Sequence, residues 1–188
     1  MGYTNNHHRN SPIALPPDAP VEARLHDRAP LLIQEQFATP GSGKQRHTHP
    51  EAQLYIALRG VIVVDAADTR CIIPPGHWCW IPPGVEHGAS VHGGAVRKKM
   101  PASSQPAASK DNDGNEQRGL MGGLTLYLAA ALCRDLPAQT LILRQTPLLQ
   151  ALLQRMQAWP PHAALDAAQQ RLLMVFIDEL RQAPPEAM

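Results

Sequence analysis

Between residues 31 and 91 the chain is a series of short apolar or alternating runs, each closed by glycine or proline. LLIQEQF (Leu31–Phe37) reads as a strand and GSG (Gly41–Gly43) as a turn. QLYIAL (Gln53–Leu58) and VIVVDA (Val61–Ala66) are β-rich runs on either side of Arg59-Gly60, which predicts a hairpin at that dipeptide. Ala67–Thr69 is a further turn signal. It is followed by the strand RCII (Arg70–Ile73), Pro74-Pro75-Gly76, the strand HWCWI (His77–Ile81) and Pro82-Pro83-Gly84. Short strands at about 8–12-residue spacing with such punctuation point to a sandwich or barrel.

The texture changes twice more. Residues 97–120 are polar and rich in Ser, Ala, Asp and Asn. They read as an exposed, disordered loop inserted in a hairpin between the strand-like GGAV and GLTLYLA. Beyond Tyr127 the period becomes helical. Thr146 is placed to cap a helix whose first residue is Pro147. Leu148, Leu149, Leu152, Leu153 and Met156 follow at helical spacing until Trp159-Pro160-Pro161. A second helix is expected from about Leu165 to Ala183, with the stripe Leu165, Ala168, Leu172, Val175, Phe176 and Leu180, widened by Leu173 and Ile177. That stripe is wide enough to serve the chain's own barrel and a second subunit, or to be spent wholly on the barrel. Residues 1–29 read as a loose tail in which His7 and His8 are solvated.

Composition narrows the function. With 188 residues, 44% hydrophobic and 18% charged, the chain holds about one domain and is not disordered overall. Lys+Arg 17 against Asp+Glu 16 leaves a formal charge of +1, which argues against gripping nucleic acid as the main task. Three cysteines (Cys71, Cys79, Cys133) without a CxxC pair fit reduced thiols, and Cys71 and Cys79 read as inert core residues. No apolar run reaches the length of a membrane span and the N-terminus has no signal-peptide core, so a cytoplasmic location without membrane contact is expected.

The chemistry concentrates between Gly41 and Val91. His47 and His49 are two apart and project together from an extended chain, and Gln53 keeps their parity if the strand stays regular past Pro50. His87 follows a tight Pro-Pro-Gly turn that can bring the next strand alongside. Three imidazoles and a side-chain oxygen converging in this way suit a divalent first-row transition metal, with positions left open for water or ligand. Glu51 has the same parity and competes with Gln53. Alternatively, Gln53 hydrogen-bonds a pocket histidine and fixes its tautomer. Tyr55 shares the inward parity and is a candidate ligand-binding residue. Trp78 and Trp80 share one face and either line the ligand pocket or fill core. His77 and His92 are expected at the surface or an edge. There is no Ser-His-Asp, P-loop or dinucleotide motif, and only Glu51 and Glu86 could act as general acid or base within this stretch, so no catalytic residue is assigned.

These residues resemble a known family. Gly41, His47, His49 and Gly60, then Gly76, Pro82, Gly84 and His87, match the two motifs of the cupins in order and at minimal spacing. The family's usual Glu ligand falls at Gln53, and the Asn closing its second motif falls at Val91. The resemblance implies a mainly β fold, a small double-stranded β-barrel with the site in its mouth. More narrowly, HTHPEAQLYIALRG, IIPPGHWCWIPPGVEH, LYLAAALCRDLP, TPLLQALLQ and RLLMVFIDELRQAPPE are similar to the sensor half of AraC-type transcription regulators. That implies a cupin barrel over residues 30–135, a helical dimerisation segment over 136–183 and the start of a linker at 184–188, with the DNA-binding half absent from this sequence. It also implies a small-molecule effector, a homodimer through helices 147–158 and 165–183, and no direct DNA contact by this chain. The competing reading is a stand-alone metal-dependent cupin enzyme of dioxygenase or isomerase type, which the neutral Gln53 favours less.

Overall fold

The computed structural model describes residues 25, 29–38, 41, 43, 45–92 and 121–186. His7, His8 and the inserted stretch 97–120 lie outside the described residues. The elements are β1 (Leu31–Ala38), β2 (Ala52–Arg59), β3 (Val61–Ala66), β4 (Thr69–Ile73), β5 (His77–Ile81), β6 (His87–His92), β7 (Met121–Leu128), a short 3-10 turn (Ala130–Leu132), β8 (Leu141–Arg144), α1 (Pro147–Gln157) and α2 (Ala167–Gln182). The strands form two antiparallel sheets, ordered β1-β7-β2-β5-β8 and β4-β3-β6. The mainly β class with two C-terminal helices is as the sequence implies.

Two local expectations fail for the same reason. β2 pairs with β5 and β7, while β3 pairs with β4 and β6, so Arg59-Gly60 joins two sheets and closes no hairpin. The hairpin lies one strand later, at Ala67-Asp68, where Ala66 pairs with Thr69 and Ala67 takes φ 47°. Likewise β6 and β7 belong to different sheets and form no hairpin with each other, while GGAV lies outside the described residues. The segment expected to be helical from residue 136 onward first contributes β8, which extends the larger sheet beside β5.

The larger sheet is apolar on both faces, and each face has its own core. One core lies between the sheets: Tyr55, Ala57, Cys79 and Ile81 meet Val64, Ala66, Cys71 and Ile73. The other lies between the larger sheet and the helices: Leu54, Ile56, Trp78, Trp80, Leu124, Leu126 and Leu143 meet Leu149, Leu152, Met156, Leu173, Phe176 and Leu180. β2 serves both, which is why its first six residues are buried without alternation. Gly123 marks the tightest point, since a Cβ there would stand 2.8 Å from the Ile56 carbonyl oxygen across the β2–β7 ladder.

Both helices start where their side chains cap them. The Thr146 hydroxyl accepts from Leu149 N–H, with Pro147 in the first turn. α2 begins at Ala167 rather than Leu165, because Asp166 accepts from the Ala168 and Gln169 amides while Gln169 Oε1 accepts from Asp166 N–H. This capping box is the start signal. Of the expected stripe, Phe176, Leu180, Leu173 and Ile177 are buried, whereas Ala168 and Val175 are exposed.

Past α2 the chain runs back along the outer edge of β8. Arg144 N–H donates to Pro184 O, Glu186 N–H donates to Ile142 O, and Arg144 Nε donates to the Glu186 carboxylate at 2.6 Å. Arg144 holds the Glu186 carboxyl below its ordinary range. The group's stabilising effect is therefore present above the ordinary carboxylate pKa and fades as pH falls through the lowered value.

Candidate functional site

The loop before β2 and the turn before β6 are stitched together by backbone. His47 N–H donates to His87 O and His87 N–H to His47 O, both at 2.9 Å. Gly84 N–H donates to His49 O at 3.0 Å, and Thr48 Oγ1 donates to Gly84 O at 3.0 Å. Gly84 takes φ 75°, a conformation that a side chain would strain, and this lets the Pro82-Pro83 turn fold onto the histidine loop.

This frame gathers His47, His49 and His87, with one nitrogen of each ring within 4.8 Å of the others. The ring centroids are 4.6 Å apart for His47–His87 and 5.0 Å for His49–His87. Gln53 reaches the same point, its Oε1 lying 2.9 Å from His49 Nε2 and 2.8 Å from His87 Nε2. His49, His87 and Gln53 are buried, and His47 is partly exposed at the opening.

The outer ring nitrogens fix the tautomers. His47 Nδ1 stands 2.9 Å from Gln45 O, and His87 Nδ1 stands 2.8 Å from Val85 O. A carbonyl can only accept, so both rings carry hydrogen at Nδ1 and keep a lone pair at Nε2. His49 Nδ1 stands 3.3 Å from Glu51 Oε2 without forming a hydrogen bond, and its ring bonds instead through Nε2 to Gln53. His49 Nε2 and His87 Nε2 both meet the Gln53 amide oxygen, and the three rings converge with it on one point.

Two arrangements suit this convergence. Turning the Gln53 amide by 180° offers one N–H to His49 and one to His87. The other is a divalent cation held by one nitrogen of each ring and the amide oxygen without that rotation. The donor set thus fits a metal of the imidazole-binding kind.

Of the other residues singled out in the sequence, Tyr55 lies inside, its ring 6.3 Å from that of His87. Trp78 and Trp80 do not join the cluster. They pair across β2 with Ile56 and Leu54, the residues of opposite parity to Gln53 and Tyr55, and so face the helices. There Trp78 Nε1–H donates to Gln145 Oε1 and Trp80 Nε1–H to Pro137 O, so they fill core and do not line the pocket. Glu86 points outward to Arg46. His77 is near Glu186, and His92 sits on the exposed end of β6 against Ser90.

Tyr127 was not singled out in the sequence. Its ring lies 5.5 Å from that of His49, and β7 pairs it with Gln53. Only the β2–β7 register reveals it. Deeper between the sheets, the Cys79 S–H donates to Cys71, which lowers the Cys71 thiol and raises that of Cys79. Burial pushes the Cys133 thiol up to about 11.

The model of the AraC-like ligand binding domain matches residues 36–186. The chain belongs to that family. No curated protein matches this AraC-like ligand-binding domain. Among solved structures it is similar to a Cupin 2 conserved barrel domain protein from Salinispora arenicola, with 17% identity and a TM-score of 0.37 over 55% of this chain and 67% of that one. It is also similar to a predicted oxalate decarboxylase from Thermotoga maritima, with 17% identity and a TM-score of 0.36 over 52% of this chain and 64% of that one. DMSP lyase DddQ from Ruegeria pomeroyi shows 15% identity and a TM-score of 0.37 over 54% of this chain and 39% of that one. Among the described residues, no helix of the AraC-like domain is long and apolar enough to cross a membrane.

Proposed function

We propose that this domain senses a small-molecule effector at the point where His47, His49, Gln53 and His87 converge, with Tyr55 beside it. A divalent first-row transition metal would be held by the three Nε2 atoms and the Gln53 oxygen. Once bound, it would supply a Lewis-acidic centre to which an effector's oxygen or nitrogen can bind. The carrying observation is the convergence of three histidine rings, one nitrogen of each within 4.8 Å of the others, with the Gln53 oxygen against two of them. Its place in an AraC-like ligand-binding domain supports sensing, in a cytoplasmic transcription regulator whose DNA contacts are not made by these residues.

Elemental analysis of untagged protein tests the metal. One equivalent of iron, manganese, nickel or zinc, lost in His47→Ala, is the expected result, and metal-free protein that takes up none on titration overturns it. The rival reading, a metal-dependent cupin enzyme, draws on the same three histidines. Among the described residues the only buried carboxylate beside them is Glu51, already engaged by His49 and by the Leu25 amide. Catalytic turnover of a compound that binds the site would replace the sensing reading.

We further propose that the effector signal reaches a second copy of the chain through α1 and α2. Leu148, Met174 and Val175 are large apolar side chains left 45%, 49% and 43% exposed on these helices. Size-exclusion chromatography with light scattering is expected to show a dimer at tens of micromolar. Val175→Glu should weaken it by about tenfold or more while changing unfolding by less than about 0.5 kcal/mol, as for an exposed position. A strict monomer in the unmodified protein overturns the dimer.

A further inference from the structure

β8 is an edge strand of the larger sheet, and the residues just past α2 lie along its outer side. Arg144 N–H donates to Pro184 O at 3.2 Å, Glu186 N–H donates to Ile142 O at 2.9 Å, and Leu143 bridges Pro185 in antiparallel register. The Glu186 carboxylate adds a tie, accepting from Arg144 Nε at 2.6 Å and facing His77 Nε2 at 3.5 Å. Apolar burial adds little here, because Pro184 and Pro185 are exposed, whereas Ala183 before them is buried. The ion pair also lies at the surface, with the Arg144 side chain 66% exposed, so solvent screens it. Two backbone hydrogen bonds and one screened ion pair are a light fastening beside the packed helices and ladders around them. The prolines suit a segment that docks and stops there. Their fixed φ limits the freedom lost on docking. Residue 185 turns outward between the two bonded residues, and a proline there offers no N–H to a further strand.

From this we infer that Pro184–Glu186 is a releasable strap pinned to the β8 edge by the Arg144–Glu186 pair. Docked, it closes the edge of the larger sheet and fixes the course of the chain past α2. Released about Ala183, it frees that course and uncovers Arg144 N–H and Ile142 O as an open strand edge. Ala183 suits the hinge: it ends α2 with φ −59° and ψ 130°, already extended, as the residue before a proline prefers. The strap is independent of the metal reading above, since none of its contacts involves the histidine cluster.

Amide hydrogen exchange in the 15N-labelled full chain, read residue by residue as protection factors, tests the strap. Gln145 supplies the control, because its N–H donates to Gly76 O at 3.1 Å and not to the strap. The Arg144 and Glu186 amides are expected to open together. Their protection should agree within about threefold and lie at least about tenfold below that of Gln145. In Arg144→Ala the amides of residues 144 and 186 are expected to lose a further fivefold or so, while Gln145 keeps its value. Glu186→Gln breaks the same pair from the other side and is expected to act alike. Protection at residues 144 and 186 as high as that of Gln145 overturns release as a separate event. A difference of more than about threefold between those two amides overturns a strap that moves as one piece. Unchanged exchange in the variants overturns the pin. Thermal melts establish that both variants fold, and if one does not, the other decides the question.

Discussion

Trp78→Ala is expected to lower the unfolding free energy by about 3–5 kcal/mol, the range for truncating a large buried aromatic, read from the denaturant midpoint at unchanged slope. Trp78 is completely buried, its ring centroid lies 6.0 Å from that of Phe176, and its indole N–H is bonded to Gln145. The substitution opens a cavity between the larger sheet and α2 that the rigid ladder on one side cannot collapse to fill. It also leaves Gln145 Oε1 without this donor. Trp78 faces away from the histidines, so folded Trp78→Ala at low temperature should bind Co2+ with the affinity of the unmodified protein. A variant that stays stable but loses Co2+ would place the tryptophan at the site after all.

His87→Ala should show the reverse profile. The metal affinity is expected to fall at least about 100-fold, beyond what losing an outer partner costs, because a direct ligand is gone. The stability cost should stay within about 1–3 kcal/mol, the penalty for stranding a polar partner. The two backbone hydrogen bonds between residues 47 and 87 do not depend on the side chain and survive the change. Calorimetric titration with Co2+ beside a urea melt separates the two effects. Unchanged affinity would remove His87 from the ligand set.

Features encoded within a few residues were legible in the sequence. The first helix begins where Thr146-Pro147 says it does, and the spacing of His47, His49, Gln53 and His87 survives into the structure as one cluster. The second helix starts two residues late because the pattern of apolar positions runs past its cap, while Asp166 and Gln169 set the true first turn. What depends on long-range register was not legible. Trp78 and Trp80 do share a face, as alternation requires. Which face it is was decided by their pairing with Ile56 and Leu54, some two dozen residues upstream. Arg59-Gly60 resembles a hairpin turn locally, but β2 finds its neighbours in β5 and β7. Tyr127 joins the site only because β7 returns beside β2 after a long excursion.

β2 carries Gln53 and Tyr55 toward one sheet and Leu54 and Ile56 toward the helices. The two layers are therefore one peptide unit apart along a single backbone. A slip of one residue in this strand would exchange them, sending Leu54 into the histidine cluster and an amide under the tryptophans. Neither layer tolerates the other's side chains, so each acts as a lock on the other's alignment. The histidine cluster and the helix bed are adjusted by one setting, and the chain cannot retune either alone by sliding β2.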